Sequence, residues 1–332
     1  MKEPCLPVSF IVPVYNAEET VIETLQSILD LHTPCSIELI IVDDGSTDAS
    51  VDRIEAWKKS ALPNEQIIRN VLLKIPHGGE AAAMNAGLKQ ATSPVVGWVE
   101  SDVKLDRNWL TQLLPELAKD RVMGAGGLLL PAESDSAVAR MFGYEIAYKI
   151  RSNTADALHI TSANALYRKE IFDQLGPCRL ELGESSFDSE FNQRIRDAGY
   201  RLRCNSQAIA WHHFKTRLGE CLKRTGWYGF RRPFVSSQVL YPFDRILALL
   251  VLLAGMTIPA LLLVWMIPFI AIPAIGVGIL SQILYSLFLY SRFRDRVLLG
   301  SFPVFWMRNV IFLMAYGCGM VYKWSRTLVK RG

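Results

Sequence analysis

Across residues 1–200, short apolar runs alternate with stretches whose apolar positions recur every three to four residues. Residues 8–12 form one such run and end at a Pro-Val-Tyr-Asn turn. Residues 17–31 follow, with Val21, Leu25, Ile28 and Leu29 at a helical period. Residues 37–42 read as a second buried strand that runs straight into Asp43-Asp44-Gly-Ser-Thr-Asp48. Asp48 or Ser50 can cap the next helix, which carries Val51, Ile54 and Trp57. A third strand is expected over 71–75, a helix opened by Gly78-Gly79 over 80–90, and a fourth strand over 95–99 that ends at Glu100-Ser101-Asp102. Repeated β-α units of this kind predict an α/β fold with a mainly parallel sheet flanked by helices.

The pattern continues to residue 213. A helix is expected over 169–175, and a second over 187–196, where Phe187, Phe191 and Ile195 share one face. Asp188 sits in the first turn of that second helix, where the helix dipole favours a carboxylate, and Gly199 suits its C-terminal cap. In parallel sheets ligands bind beyond the carboxyl ends of the strands. Two such ends carry acids here, Asp43/Asp44 and Glu100/Asp102. Acids after strands commonly serve as caps and turn residues, but two clusters at matching ends favour a site. The adjacent pair His212-His213 can touch a diphosphate or a metal, or simply close the domain.

Beyond residue 213 the pattern changes. Residues 246–290 contain no Asp, Glu, Lys, Arg or His, a length that fits two membrane crossings of about 20 residues each. The expected spans are 246–266 and 269–290. A third apolar run, 297–322, contains Arg308, and a charge in hydrocarbon costs several kcal/mol unless it is shared or snorkelled. Arg292, Arg294 and Arg296 precede this run, and Lys323, Arg326, Lys330 and Arg331 follow it. The positive-inside tendency draws both clusters to one side, so the run reads as interfacial or as a third span. Ahead of the spans, Lys215, Arg217, Lys223, Arg224, Arg231 and Arg232 face one acid, Glu220, with Trp227, Tyr228 and Phe230 interleaved. That strip is either a solvated helix face or a surface lying on anionic lipid. The expected division is therefore a domain over 1–214, a basic aromatic segment over 215–244, and a membrane region over 245–332.

Composition narrows this further. Half of the 332 residues are hydrophobic and 20% are charged, which excludes disordered and collagen-like chains. The net charge of +4 lies largely beside the apolar segments, so it gives no reason to expect nucleic acid as a partner. The six cysteines show no C-x-x-C pair or scaffold spacing, which predicts buried, reduced thiols. Nothing at the start resembles a secretory signal, which places the N-terminal portion in the cytosol as an expectation.

Val12-Pro13-Val14-Tyr15-Asn16, Val42-Asp-Asp-Gly-Ser-Thr-Asp48, Asn85-Ala-Gly87, the triplet Glu100-Ser101-Asp102, and Asp188 followed by Arg194-Ile-Arg-Asp-Ala-Gly-Tyr200 occur in that order. This ordered set resembles the family 2 glycosyltransferases, whose fold is the GT-A nucleotide-diphospho-sugar transferase fold. With the apolar tail, the chain is similar to membrane-anchored bacterial members that build exopolysaccharides or lipid-linked sugars. The resemblance covers about residues 8–215.

It implies an inverting transfer from a nucleotide-sugar, UDP-linked in our reading, to a lipid-linked or surface-glycan acceptor. It also implies a multi-pass protein of the bacterial inner membrane with a cytosolic catalytic domain. On this likeness Pro13, Val14, Tyr15, Asp43, Asp44, Asn85, Glu100, Ser101 and Asp102 bind the nucleotide-sugar. Asp102 holds Mg2+ or Mn2+, Glu100-Ser101-Asp102 standing for the family's D-x-D motif. Asp188 matches the second acid of the family's E-D pair and is the expected general base. Three positions depart from the pattern: Glu100 replaces the first Asp, Phe187 the Glu of the pair, and Met84 an Arg that can pair the diphosphate. Lys74, His77, Lys215 or Arg217 remain open as sources of that charge, and Glu190, His212, His213 and Arg217 as acceptor-side or diphosphate groups. These departures motivate a second reading, a catalytically silent nucleotide-sugar-binding subunit of a membrane assembly. Processive members carry Q-x-x-R-W; Lys223 to Trp227 retain only the Trp, so processive synthesis is not expected.

Overall fold

In the computed structural model, the residues described are 6–61, 65–132, 135–151, 156–180, 187–214, 217–231, 250, 253, 255, 257 and 268–329. The chain divides into two units, Met1–Leu130 with Ile150–His213, and Pro131–Lys149 with Phe214–Gly332. Residues 131–149 fall in the second unit.

The first unit is built on β1 (Val8–Val14), β2 (Ile37–Asp43), β3 (Ile67–Lys74), β4 (Val95–Val99), β5 (Val103–Leu105), β6 (Val122–Pro131), β7 (Asn164–Arg168) and β8 (Arg201–His212). They form an 8-stranded sheet in the order β3-β2-β1-β4-β7-β6-β8-β5. β1, β2, β3 and β4 pair in parallel, as the β-α alternation predicts. From β4 onward the pairings β4–β7, β6–β7 and β5–β8 are antiparallel. Every residue of β1, β2 and β4 is buried. That explains why these strands read as continuous apolar runs and not as alternations. β3 is an edge strand and only half-buried, so its start at Ile67 was not legible.

The helices of this unit are α1 (Val21–Leu29), α2 (Ser50–Ala61), α3 (Glu80–Gln90), α4 (Trp109–Leu117), α6 (Glu170–Leu175) and α7 (Phe187–Asp197). α1 begins four residues later than expected, because the chain before it is held to the loop after β2. Ala17 N donates to Ser50 Oγ at 2.8 Å, Glu18 N to Asp48 Oδ2 at 3.1 Å, and Ala49 N to Glu18 Oε2 at 2.9 Å. On α7, Phe187, Phe191 and Ile195 are buried against Trp98 of β4, Tyr167 of β7 and Phe172 of α6. Phe172 and Phe191 stack at 4.7 Å between centroids. Cys178 and Cys204 are free and buried as expected, whereas Cys35 is disulfide-bonded, against the expectation of reduced thiols.

Glu38, on β2, is a carboxylate 2% exposed. It accepts from Ser9 Oγ, from Thr92 N at 2.9 Å and from Ser93 N at 3.2 Å. Burial pushes its carboxyl up, but these hydrogen bonds outweigh burial and hold it at about 2, below the ordinary 4.5. A depressed carboxyl stabilises the fold fully above 4.5 and loses that contribution as pH falls towards 2. The linkage is worth roughly 3 kcal/mol. Thermal melts of the protein and its Glu38→Gln variant should therefore differ at neutral pH and converge as pH is lowered from 4.5 to 2.

In the second unit, α5 (Ala137–Arg151) and α8 (Leu218–Arg231) accompany two long helices, α9 (Pro268–Phe293) and α10 (Phe302–Val329). Within these, Ile272–Phe293 and Phe302–Tyr322 are long and apolar enough to cross a membrane. The expected span 246–266 lies almost wholly outside the described residues. The third apolar run is divided: residues 297–300 belong to a short 3-10 helix and α10 starts at Phe302, and Arg308 in its second turn is buried and paired with Glu145 of α5. Its Nε also donates to Asn309 Oδ1 at 3.0 Å, and Asn309 Nδ2 donates to Gln282 Oε1 at 3.0 Å. A buried charge with a countercharge and satisfied hydrogen bonds avoids most of the penalty of a lone one. α8 packs along α10, and glycines on both helices permit the approach. A Cβ on Gly229 would sit 2.5 Å from Phe312 O, and one on Gly319 2.1 Å from Phe230 O.

Candidate active site

The ends of β1 and β2 present the first group of expected site residues. Pro13 and Val14 are ladder residues, and the Val14 carbonyl accepts from Asp44 N at 2.8 Å. Asp43 Oδ1 accepts from Ser46 N at 3.2 Å, the turn role open to any Asp after a strand. The buried Asp44 carboxylate accepts from Gly78 N at 2.8 Å and Gly79 N at 2.9 Å, just ahead of α3. His77 Nδ1 lies 2.9 Å from Asp44 Oδ2, and the His77 ring stacks on Tyr15 at 4.2 Å. Tyr15 is 47% exposed, so this stack offers an open aromatic face beside two carboxylates. Asn85 is not aimed there. Its amide exchanges hydrogen bonds with the main chain of Cys178 at 2.8 and 2.9 Å, which commits it to the fold.

The second group gathers at the end of β4, and strand register gathers it. Val103 pairs with His212 across β5–β8, which sets the imidazole beside Asp102. His212 Nε2 is 3.1 Å from Asp102 Oδ1 and 3.8 Å from Glu100 Oε2. One donor atom from each of Glu100, Asp102 and His212 lies within 4.8 Å of the other two. Two carboxylates and one imidazole so placed fit a divalent cation. Ser101 occupies the turn between the acids.

Val99 pairs with Asn164 across β4–β7, which brings Ser162 to Glu100. Ser162 Oγ donates to Glu100 Oε1 at 3.0 Å, and its backbone N–H donates to the Asp188 carboxylate. One residue thus joins the acidic cluster to the first turn of α7. Phe187 seats that turn, its ring 6.1 Å from the centroid of Trp98. Asp188 Oδ1 accepts from Ser189 N at 2.6 Å, and His159 Nε2 lies 3.4 Å from Oδ2. Burial raises the Asp188 carboxyl, but the His159 ring and the N–H groups of Ser189 and Ser162 outweigh it and hold the group below the usual carboxylate range.

Other expected residues lie elsewhere. His213 Nε2 bonds Glu23 Oε2 of α1 at 2.9 Å. Glu190 is engaged by Arg194 at 2.9 Å and Arg179 at 3.2 Å. Arg217 belongs to the second unit, Lys215 lies outside the described residues, and Lys74 ends the edge strand β3. Two departures from the family pattern acquire a reason: Phe187 and Met84 are core side chains, 2% and 0% exposed. Sequence reasoning missed Ser162 and His159, isolated polar residues whose place depends on pairing across the sheet.

Residues 9–176 match glycosyl transferase family 2. The chain belongs to that family. It is 25% identical over 219 residues to glycosyltransferase AglE of Haloferax volcanii, across 65% of this chain and 70% of that protein. It is 27% identical over 203 residues to glycosyltransferase GlyA of Streptococcus pneumoniae, across 57% of this chain and 28% of that one. Poly-beta-1,6-N-acetyl-D-glucosamine synthase of Staphylococcus epidermidis is 33% identical over 118 residues, 36% of this chain and 27% of the synthase. The match thus spans less than a third of the last two relatives. Among solved structures, the mannosyltransferase PcManGT from Pyrobaculum calidifontis, in complex with GDP-Man and Mn2+, superposes with a TM-score of 0.62 at 16% identity, covering 96% of this chain and 88% of that one. GalNAc-T7 with UDP, GalNAc and Mn2+ gives 0.51 at 15% identity, covering 70% and 51%. These likenesses establish the GT-A fold for this family 2 transferase.

Proposed function

We propose that this glycosyltransferase is membrane-anchored and metal-dependent, and transfers a sugar with inversion from a UDP-sugar to a lipid-linked or surface-glycan acceptor. The observation that carries the reading is the junction of Glu100, Asp102 and His212 with Asp188 through Ser162. On this reading Tyr15, Asp43 and Asp44 with the strand ends at Pro13 and Val14 receive the nucleoside, and Glu100, Asp102 and His212 hold Mn2+ or Mg2+. Bound there, the cation would neutralise charge on the departing diphosphate. Asp188 takes the proton of the acceptor hydroxyl as that oxygen bonds to the anomeric carbon. The bond from the anomeric carbon to the diphosphate oxygen breaks on the opposite face, and its electron pair leaves with the diphosphate.

Support for the anchor comes from two helices of sufficient length and from α8, where Trp227 is 50% exposed and Arg224 lies over the Tyr228 ring. Aromatic and basic side chains together suit the headgroup level of an anionic bilayer, in our reading the cytosolic face of a bacterial inner membrane. The silent-subunit reading loses two of its three motives where Phe187 and Met84 serve the core. Membranes containing the protein, given a panel of radiolabelled UDP- and GDP-sugars, test the proposal. Label from a UDP-sugar should enter the organic-extractable or precipitable glycan fraction. Transfer from GDP-sugars alone would overturn the donor, and transfer from none would overturn the function.

A further inference from the structure

The transfer described above assigns no task to His159, although its ring touches Asp188. The tautomer of that ring can be derived from its neighbour Asn192, which is wholly buried on α7. Asn192 Nδ2 donates to the Ile160 carbonyl at 2.6 Å, a group that can only accept. Asn192 Oδ1 accepts from the Tyr167 hydroxyl at 3.3 Å. The amide is therefore fixed in one orientation, with its NH2 group also 2.9 Å from His159 Nδ1. Facing a donor, Nδ1 must accept, so the proton of the neutral ring is on Nε2, the nitrogen 3.4 Å from Asp188 Oδ2.

We propose that His159 is a positioning residue for glycosyl transfer: its Nε2–H, fixed in that tautomer by Asn192, holds the Asp188 carboxylate in one orientation for the acceptor hydroxyl. The inference rests on Asp188 being the base. In the step itself the acceptor O–H proton passes to the Asp188 carboxylate, the acceptor oxygen bonds to the anomeric carbon, and the diphosphate leaves with the electrons of the broken bond. His159 does not carry the proton onward, because Nε2 already bears one and Nδ1 faces the Asn192 donor. The ring acts on Asp188 and not on substrate.

Among the described residues, the other groups around Asp188 do not substitute for it. Tyr167 and Cys178 are pushed up by burial, the thiol to about 12, and both stay neutral near pH 7. Glu190 on the same helix is paired with Arg194 and Arg179. Glu100 stands across Ser162 and adds a like charge. The N–H groups of Ser189 and Ser162 would remain after His159 is lost, against an unchanged burial that raises the carboxyl.

The test is the pH dependence of kcat/KM for the acceptor, with metal and donor saturating, in the protein and its His159→Ala, His159→Gln and Asp188→Asn variants. His159→Ala should move the acid limb upward by about one unit, since a hydrogen bond to the charged form is gone. Donor affinity, measured by calorimetry, should stay unchanged. His159→Gln keeps an N–H donor and should return the limb most of the way. A His159→Ala profile that superimposes on the parent's, or a Gln variant no better than Ala, overturns the proposal. If Asp188→Asn is inactive while His159→Ala keeps the parental profile, this inference alone falls. A fully active Asp188→Asn variant removes the base reading and this inference together.

Discussion

Asp188→Asn should fold normally, bind donor with near-normal affinity and lose at least about a hundredfold in transfer, the lower end of what a positioned base contributes. Asp188 stands in the first turn of α7, where the helix dipole and the N–H groups of Ser189 and Ser162 favour its charge. Asn is close in shape, can accept the same backbone hydrogen bonds, and caps a helix about as well as Asp. Its amide is a far poorer base. If Asp188 only capped α7, even its complete loss would cost about 1 kcal/mol of stability and little rate. Product formation under single turnover, with donor binding measured in parallel, separates the two roles. A fully active variant would reject the base and indicate an acceptor that is already ionised, such as a phosphate.

The second large effect is expected at Asp102. Loss of even a supporting group around a metal typically costs 10–100-fold in affinity, so removing a ligand's charge should cost at least about a hundredfold. Asp102→Asn keeps the volume of the side chain, and the backbone contact from His213 N to Asp102 O at 2.9 Å is untouched. The fold should therefore survive. In calorimetric titrations with Mn2+ present, donor affinity of the variant should fall to the level the parent shows without metal. An affinity equal to the parent's would take Asp102 out of the site.

How far the sequence disclosed this arrangement varies by residue. α3 and β4 have the bounds expected, Glu80–Gln90 and Val95–Val99, because the Gly78-Gly79 break ahead of α3 and the continuous apolar run of β4 are both local signals. The parallel half of the sheet and the acids at its strand ends were legible for the same reason. β6 was not, since Gly124, Gly126 and Gly127 dilute its strand signal. Nor was the departure of α5 into the second unit, which rests on contacts such as Glu145–Arg308 between residues far apart in sequence. Of the adjacent pair His212 and His213, only the β5–β8 register decides which one meets Asp102, because neighbours on a strand point to opposite faces. Asp44 shows the converse difficulty. It holds the 77–79 turn ahead of α3, a structural duty that its motif leaves indistinguishable from ligand binding.

On the proposed mechanism, transfer depends on a divalent cation among Glu100, Asp102 and His212. Membranes containing the protein, stripped with EDTA and given the radiolabelled nucleotide-sugar that serves as donor, measure it directly. Stripping should bring transfer to background, and Mn2+ should restore it in the parent but not in Asp102→Asn. Undiminished transfer in EDTA, or full restoration by Mn2+ in Asp102→Asn, would contradict it.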